Sequence, residues 1–266
     1  MSLGFSVDTL LPKARGGGQL RMGLVKLEEH QWLQPAPDLA ARAAGFADWP
    51  EGVQLTPEVD APGRELAAML GVPVGFDQVA LPEAARAVHE DLCLLTKREG
   101  EEVYRLIGAA VAWPSDWRPA EKIGLPLRAL HAPIAGYEEQ LATGVGRFME
   151  TLRPGPIYAR CNWFIAATGD RRWLPERPPL EAFAHVTPEN AGETLFVRSE
   201  RQTLRRLPQT GAILFGIGIY VEPLGKLSPA NIAMLGKAVQ TLVSGEGDRR
   251  GASAYADSLI GYAATK

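Results

Sequence analysis

The chain has little from which a protein builds a metal cluster of its own. Its 266 residues hold two cysteines, Cys93 and Cys161, too few for a disulfide framework or a cysteine-built zinc site, and that scarcity fits a reducing, cytoplasmic setting. The four histidines include no His-Glu-x-x-His pair and no second His or Cys at ligand spacing, which argues against a zinc or facial-triad centre. A surplus of one charge is missing as well. At a formal net charge of −3 the chain lacks the excess of Lys and Arg with which a nucleic-acid binder neutralises phosphates. No window reaches the roughly 18 uninterrupted apolar residues of a membrane span, and Met1 to Leu11 lacks the basic start and apolar stretch of a secretory leader. Gly16-Gly17-Gly18 is followed by no Gly-Lys-Ser/Thr, so it reads as a flexible turn and not as a phosphate loop.

What is present is an apolar fraction of 46% with 22% charged residues, the profile of a soluble globular chain. No repeat or long polar linker interrupts Asp38 to Leu242. The organisation expected is therefore an N-terminal arm over 1–20, with Met1-Ser2-Leu3 read as an added leader, one domain over 21–245, and a C-terminal tail over 246–266. Asp38 is a helix N-cap for Leu39 to Phe46, and a second helix runs from Pro62 to Leu70. The stripe Ala84, Val88, Leu92, Leu95 predicts a helix over 82–97. Tyr137, Leu141, Val145, Phe148 and Leu152 predict the clearest amphipathic helix, and Ser228 caps a last one ending at Leu242. Strands are predicted at 104–113, 157–167, 194–198 and 211–221. Strands clustered between helices without βαβ alternation imply an α+β fold with a mostly antiparallel sheet.

Three local features carry candidate chemistry. In the strand from Gly211 the odd positions are bulky, whereas Gly216 and Gly218 remove bulk from the other face at one place; a flat cofactor and a packed helix both fit that gap. Arg198, Arg201, Arg205 and Arg206 put four arginines in nine residues, either a carboxylate or phosphate clamp or a solvated face with Arg201 and Arg205 one helical turn apart. Glu200 among them pairs with an arginine on the plainest reading. Of the histidines, His30 and His89 sit beside acids and read as surface residues, and His185 lies in a polar loop. His131 alone sits in a constrained setting, Leu130-His131-Ala132-Pro133. It is either a hydrogen-bonded structural residue or the single axial side chain that haem requires.

The run from Ser199 to Pro208, continuing through Thr210-Gly211-Ala212-Ile213-Leu214-Phe215 and Tyr220-Val221-Glu222-Pro223-Leu224, resembles the signature of the haem-dependent oxidative N-demethylase family. Met22-Gly23-Leu24, the acidic helix segment Glu90-Asp91-Leu92, Pro114-Ser115-Asp116-Trp117, His131-Ala132-Pro133 with Gly136-Tyr137, and Arg160-Cys161-Asn162-Trp163 agree in order, over about residues 20 to 245. The resemblance implies a PAS-like α+β core that binds haem b and oxidises a small alkylamine such as dimethylamine with O₂, releasing formaldehyde. It also implies electrons from NADPH through separate flavin and iron-sulfur subunits.

Carried over residue by residue, the resemblance makes His131 the axial ligand and Arg198, Arg201 and Arg205 the holders of the haem propionates. It gives the porphyrin room at Gly216 and Gly218, lets Glu200 hold the substrate ammonium, and lets Asn162 and Trp163 shape the pocket. Cys161 is the alternative axial ligand, as a thiolate. Two positions depart from the family pattern: Gly218 stands where an arginine is usual, and Ala135 where a second proline is. Those departures leave open two further readings, a non-catalytic PAS-like haem or small-ligand sensor and a structural protein without cofactor.

Overall fold

A computed structural model describes residues 3–11, 22–134, 136–242, 247 and 250–266. The turn expected at Gly16-Gly17-Gly18 and the position of Ala135 lie outside the described residues. Seven strands form one antiparallel sheet: β1 (Val25–Leu27), β2 (Val53–Leu55), β3 (Asp91–Lys97), β4 (Tyr104–Ala110), β5 (Ile157–Ala166), β6 (Phe196–Arg206) and β7 (Ile213–Pro223). They lie in the order β1-β5-β6-β7-β3-β4-β2, and with the helices around them they make the expected α+β fold. Among the described residues no helix is long and apolar enough to cross a membrane.

Three elements depart from their sequence patterns. The helix expected over 82–97 ends at Ala87, and β3 begins at Asp91. Leu92 to Leu95 belong to a strand paired on both edges, with β4 and with β7, and buried on both faces. Such a strand shows no period-two alternation, so its apolar run extends a helical stripe by accident. The short strand expected at 194–198 runs on to Arg206 because β5 and β7 flank it over almost its whole length and satisfy its backbone on both sides. The amphipathic helix from Tyr137 breaks at Leu141, where φ is −123° and ψ −33°, into Tyr137–Gln140 and Ala142–Thr151. Its apolar face survives the break. Asp38 caps as expected, its Oδ1 accepting the Ala41 amide at 2.9 Å.

The segments read as arm and tail both enter the core. Val7, Leu10 and Leu11 near one end and Tyr255 and Leu259 near the other are buried in a cluster with Trp163, Val197, Tyr220, Leu224, Ile232 and Leu235. The helices that carry them, Val7–Leu10 and Ala256–Ala263, are too short for a periodic stripe to stand out.

Residues opposite one another in antiparallel register share a face of the sheet, and the register divides the signature motif in two. One face carries Arg160, Asn162 and Phe164 of β5, Arg198, Glu200 and Gln202 of β6, and Ile217, Ile219 and Val221 of β7. The other carries Cys161, Trp163, Ser199, Arg201, Gly218 and Tyr220. Helices Leu127–Leu130 and Ala142–Thr151 cover part of the Asn162 face, packing Leu130, Met149 and Leu152 with Leu95, Tyr104, Leu204 and Phe215. The Cys161 face is buried under the helices of both chain halves and under Trp32 to Gln34.

Candidate functional site

The arginines at the heart of the motif are spent on the fold. Arg198 is fully buried. Its Nε donates to Ser115 Oγ at 2.6 Å, Nη1 to the Asp170 carbonyl at 3.0 Å, and Nη2 to the carbonyls of Trp113, Pro114 and Arg171. Burial pushes its pKa down to about 10, which leaves it charged at neutral pH. It therefore ties the Pro114-Ser115-Asp116-Trp117 turn to β6, and this turn includes the strained Asp116 at φ 58°.

Arg201 donates to the Trp32 and Gln31 carbonyls and lies 3.3 Å from Glu90 Oε1. Arg205 is paired with Glu29 at 2.5 Å and lies over the Trp32 ring, 4.1 Å from its centroid. Alternation in β6 separates Arg198 from Arg201 and Arg205 across the sheet, so the three do not converge on one anion.

The gap above Gly216 and Gly218 is filled by the protein itself. A Cβ at Gly216 would lie 2.7 Å from Thr203 Oγ1 and 3.1 Å from Leu33 Cδ2; one at Gly218 would lie 3.2 Å from Tyr220 Cε2 and 3.4 Å from Glu90 Cγ. Of the two readings that the sequence leaves open there, the space goes to internal packing, on the face opposite Asn162 and Glu200.

His89 is a correction: it is 1% exposed, with Nε2 2.9 Å from the Ile219 carbonyl, against the Trp113 and Tyr220 rings. Its acidic neighbours suggested the surface, yet Glu90 and Asp91 are buried too. Asp91 accepts the amides of Ala112 and Trp113 and pairs with the buried Arg42 at 2.8 Å. Burial pushes Glu90 up to about 7 and His89 down to about 4.

The two shifts oppose one another in the pH dependence of stability. From about pH 4.5 to 7 folded Glu90 keeps a proton that the unfolded chain releases, so its contribution falls as pH rises through 7. Unfolded His89 binds a proton below about 6.5 that the folded chain refuses until about 4, so its contribution falls as pH drops through that window. Replacing Glu90 with Gln removes the first effect. The melting temperature of the variant relative to wild type is expected to climb between about pH 4.5 and 7 and then level off; a flat difference would contradict the assignment.

Unmet buried polar atoms occur on both faces, at Thr203 Oγ1, Arg205 Nε and Tyr220 Oη on the Cys161 face and at Asn162 Oδ1 on the other, and on the Asn162 face they lie beside a carboxylate. Glu200, 6% exposed, accepts from Asn162 Nδ2 at 3.0 Å and from Gln202 Nε2 at 2.9 Å, both at Oε2. Among the described residues its Oε1 accepts no hydrogen bond, and the buried Asn162 Oδ1 has no partner either. Two acceptors beside one negative charge match a cationic donor, and leaving them unmet in a dry site is costly. Arg160, half-buried on the same face and opposite Gln202, has no hydrogen-bond or ion-pair partner among the described residues. Burial lowers its pKa, and the Glu200 charge opposes that shift.

His131 closes the Leu127–Leu130 helix, which packs over this face through Leu130. Its Nδ1 lies 2.8 Å from the Leu127 carbonyl, and a carbonyl can only accept, so Nδ1 carries the proton and Nε2 presents a lone pair. Among the described residues Nε2 has no hydrogen-bond partner. The ring is stacked on Tyr137, with centroids 4.4 Å apart and planes at 8°. Burial lowers its pKa against the opposing Leu127 hydrogen bond, helped by the charges of Arg160 and Lys122, and this favours the neutral ring. A neutral imidazole oriented by a backbone carbonyl is what an axial haem ligand requires, and these residues fit the group.

Cys161 lies on the other face, paired with Arg201, and Trp163 is buried in the core there. Arg160 and Gln202 were not singled out as site residues from the sequence. Strand alternation around Asn162 and Glu200 points to both once β6 is known to reach Arg206. A family model described as haem-dependent oxidative N-demethylase, alpha subunit-like, matches residues 65–259.

Proposed function

The chain belongs to the haem-dependent oxidative N-demethylase alpha subunit-like family, and from that premise we propose that it demethylates a small alkylamine such as dimethylamine with haem b and O₂. The observation that carries this reading is His131, a neutral imidazole fixed by the Leu127 carbonyl with Nε2 unclaimed, set over the face that holds Glu200 and Asn162. Haem b, when bound, supplies the oxidising chemistry. His131 Nε2 would hold it. Glu200 Oε1 and Asn162 Oδ1 receive the substrate ammonium: a secondary ammonium carries two N–H donors, one for each unmet acceptor. Gln202 and the Asn162 amide hold the Glu200 carboxylate in one orientation through Oε2, which directs the bound methyl group. Burial strengthens the ion pair by excluding water.

The methyl carbon leaves as formaldehyde. The two electrons needed beyond those that the substrate supplies come from NADPH through flavin and iron-sulfur partner subunits, a division of labour that the description "alpha subunit" supports. The hairpin β3–β4, the helical excursion and the β5–β6–β7 meander that returns beside β3 support a PAS-like core. A cytoplasmic setting suits a chain with only two cysteines.

The test is reconstitution with hemin, followed by turnover with dimethylamine, NADPH and a reductase. A Soret band distinct from free hemin and amine-dependent formaldehyde are expected, and Glu200→Gln is expected to raise the KM for amine at least tenfold with the Soret band unchanged. A Soret band without formaldehyde would favour a haem sensor instead, and no band would overturn the haem reading.

A further inference from the structure

We propose that Arg160 is the residue that receives a propionate of the haem, in place of the arginines of the signature motif. Arg198 is committed to Ser115 and four carbonyls, Arg201 to Glu90 and two carbonyls, Arg205 to Glu29, and Arg206 to Tyr104 and the carbonyls of Leu152, Met149 and Gly211. Nearby Lys122 donates to the Leu130 carbonyl at 3.2 Å. Arg160 differs from all of these: it sits in mid-strand on β5, half-buried, with its guanidinium unclaimed among the described residues.

A half-buried cation with no hydrogen-bonded acceptor among the described residues, eased only by the charge of Glu200, is costly unless a further anion completes it, and the planar guanidinium fork is the best match for a carboxylate. Its place fits the role. Arg160 is two residues before Asn162 on the same face of the sheet, the face that the Leu127–Leu130 helix covers in part. A macrocycle held by His131 over this face would bring a propionate toward Arg160 and leave Glu200 and Asn162 for the amine.

This assignment rests on the haem reading, and hemin compared with its dimethyl ester separates the two. Soret titration of the full chain is expected to show wild type binding hemin at least tenfold more tightly than the uncharged ester. Arg160→Gln is expected to lose about ten- to a hundredfold in hemin affinity, the worth of a charge-assisted pair, with ester affinity unchanged. Arg160→Lys, which keeps the charge but loses the fork, falls between, and Arg205→Gln leaves the preference for hemin intact. A wild type that binds both porphyrins alike, or an Arg160→Gln that keeps the full preference, overturns the assignment while the haem reading stands. A wild type with no Soret band overturns both. The wild-type comparison needs no variant, so it decides even if Arg160→Gln fails to fold.

Discussion

Replacing His131 with alanine is expected to abolish the Soret band of the reconstituted chain, or to shift it to that of weakly held hemin, while the fold persists. The ring is only half-buried, and its loss removes one hydrogen bond, to the Leu127 carbonyl at 2.8 Å, together with the stacking on Tyr137. Those contacts are worth on the order of 1–2 kcal/mol, a fraction of the stability of a domain this size. The effect on cofactor binding is larger, because among the described residues no other histidine is placed beside the Leu127–Leu130 helix.

Added imidazole is expected to restore the band by entering the space left by the ring. Cys161→Ser is expected to leave the spectrum unchanged, since register puts that thiol on the opposite face beside Arg201. A His131→Ala spectrum identical to wild type would contradict the axial assignment.

Arg198→Leu is expected to cost about 3–5 kcal/mol of folding stability, read as a fall in the denaturation midpoint at constant slope. The substitution strips the donor from Ser115 Oγ and from the carbonyls of Trp113, Pro114, Asp170 and Arg171. It leaves Ser115 Oγ and the Trp113 carbonyl buried and unmet, while the Pro114 carbonyl keeps the Trp173 amide; an unmet buried group costs about 1–3 kcal/mol before relaxation. Arg198→Lys keeps the charge but cannot span five acceptors, so most of the loss persists. Had Arg198 been a propionate holder, its removal would weaken hemin binding and spare the fold. The two measurements separate these roles, and an unchanged midpoint for Arg198→Leu would reject the structural one.

The signature Ser199 to Pro208 was legible as a motif, and a motif does not distinguish scaffold from site. Its arginines have the residue type of an anion clamp. Once β6 runs from Phe196 to Arg206, however, alternation sends Arg198 and Glu200 to one face and Arg201 and Arg205 to the other. The shorter strand expected from sequence hid that division. His89 was misplaced for a related reason: charged neighbours in sequence signal the surface only when they are themselves exposed, and Glu90 and Asp91 each find a buried partner, in Arg201 and Arg42. Those partners are separated from them by 111 and 49 residues in the chain.

The sequence by itself determined the α+β class, several helices, one of them with its Asp38 cap, the family, and the singular position of His131, because these rest on local composition, periodicity and an ordered string of residues. Only the tertiary structure decided which polar groups the fold consumes and which it leaves over. Arg198, Arg201, Gly216 and Gly218 are used up by contacts with distant segments, whereas among the described residues Arg160, Asn162 and Glu200 on one face, and His131 on the helix over it, keep unmet hydrogen-bonding groups. The physical reason is that hydrogen-bond satisfaction is a property of the packed chain: a donor is spent or spare only with respect to neighbours that folding brings to it.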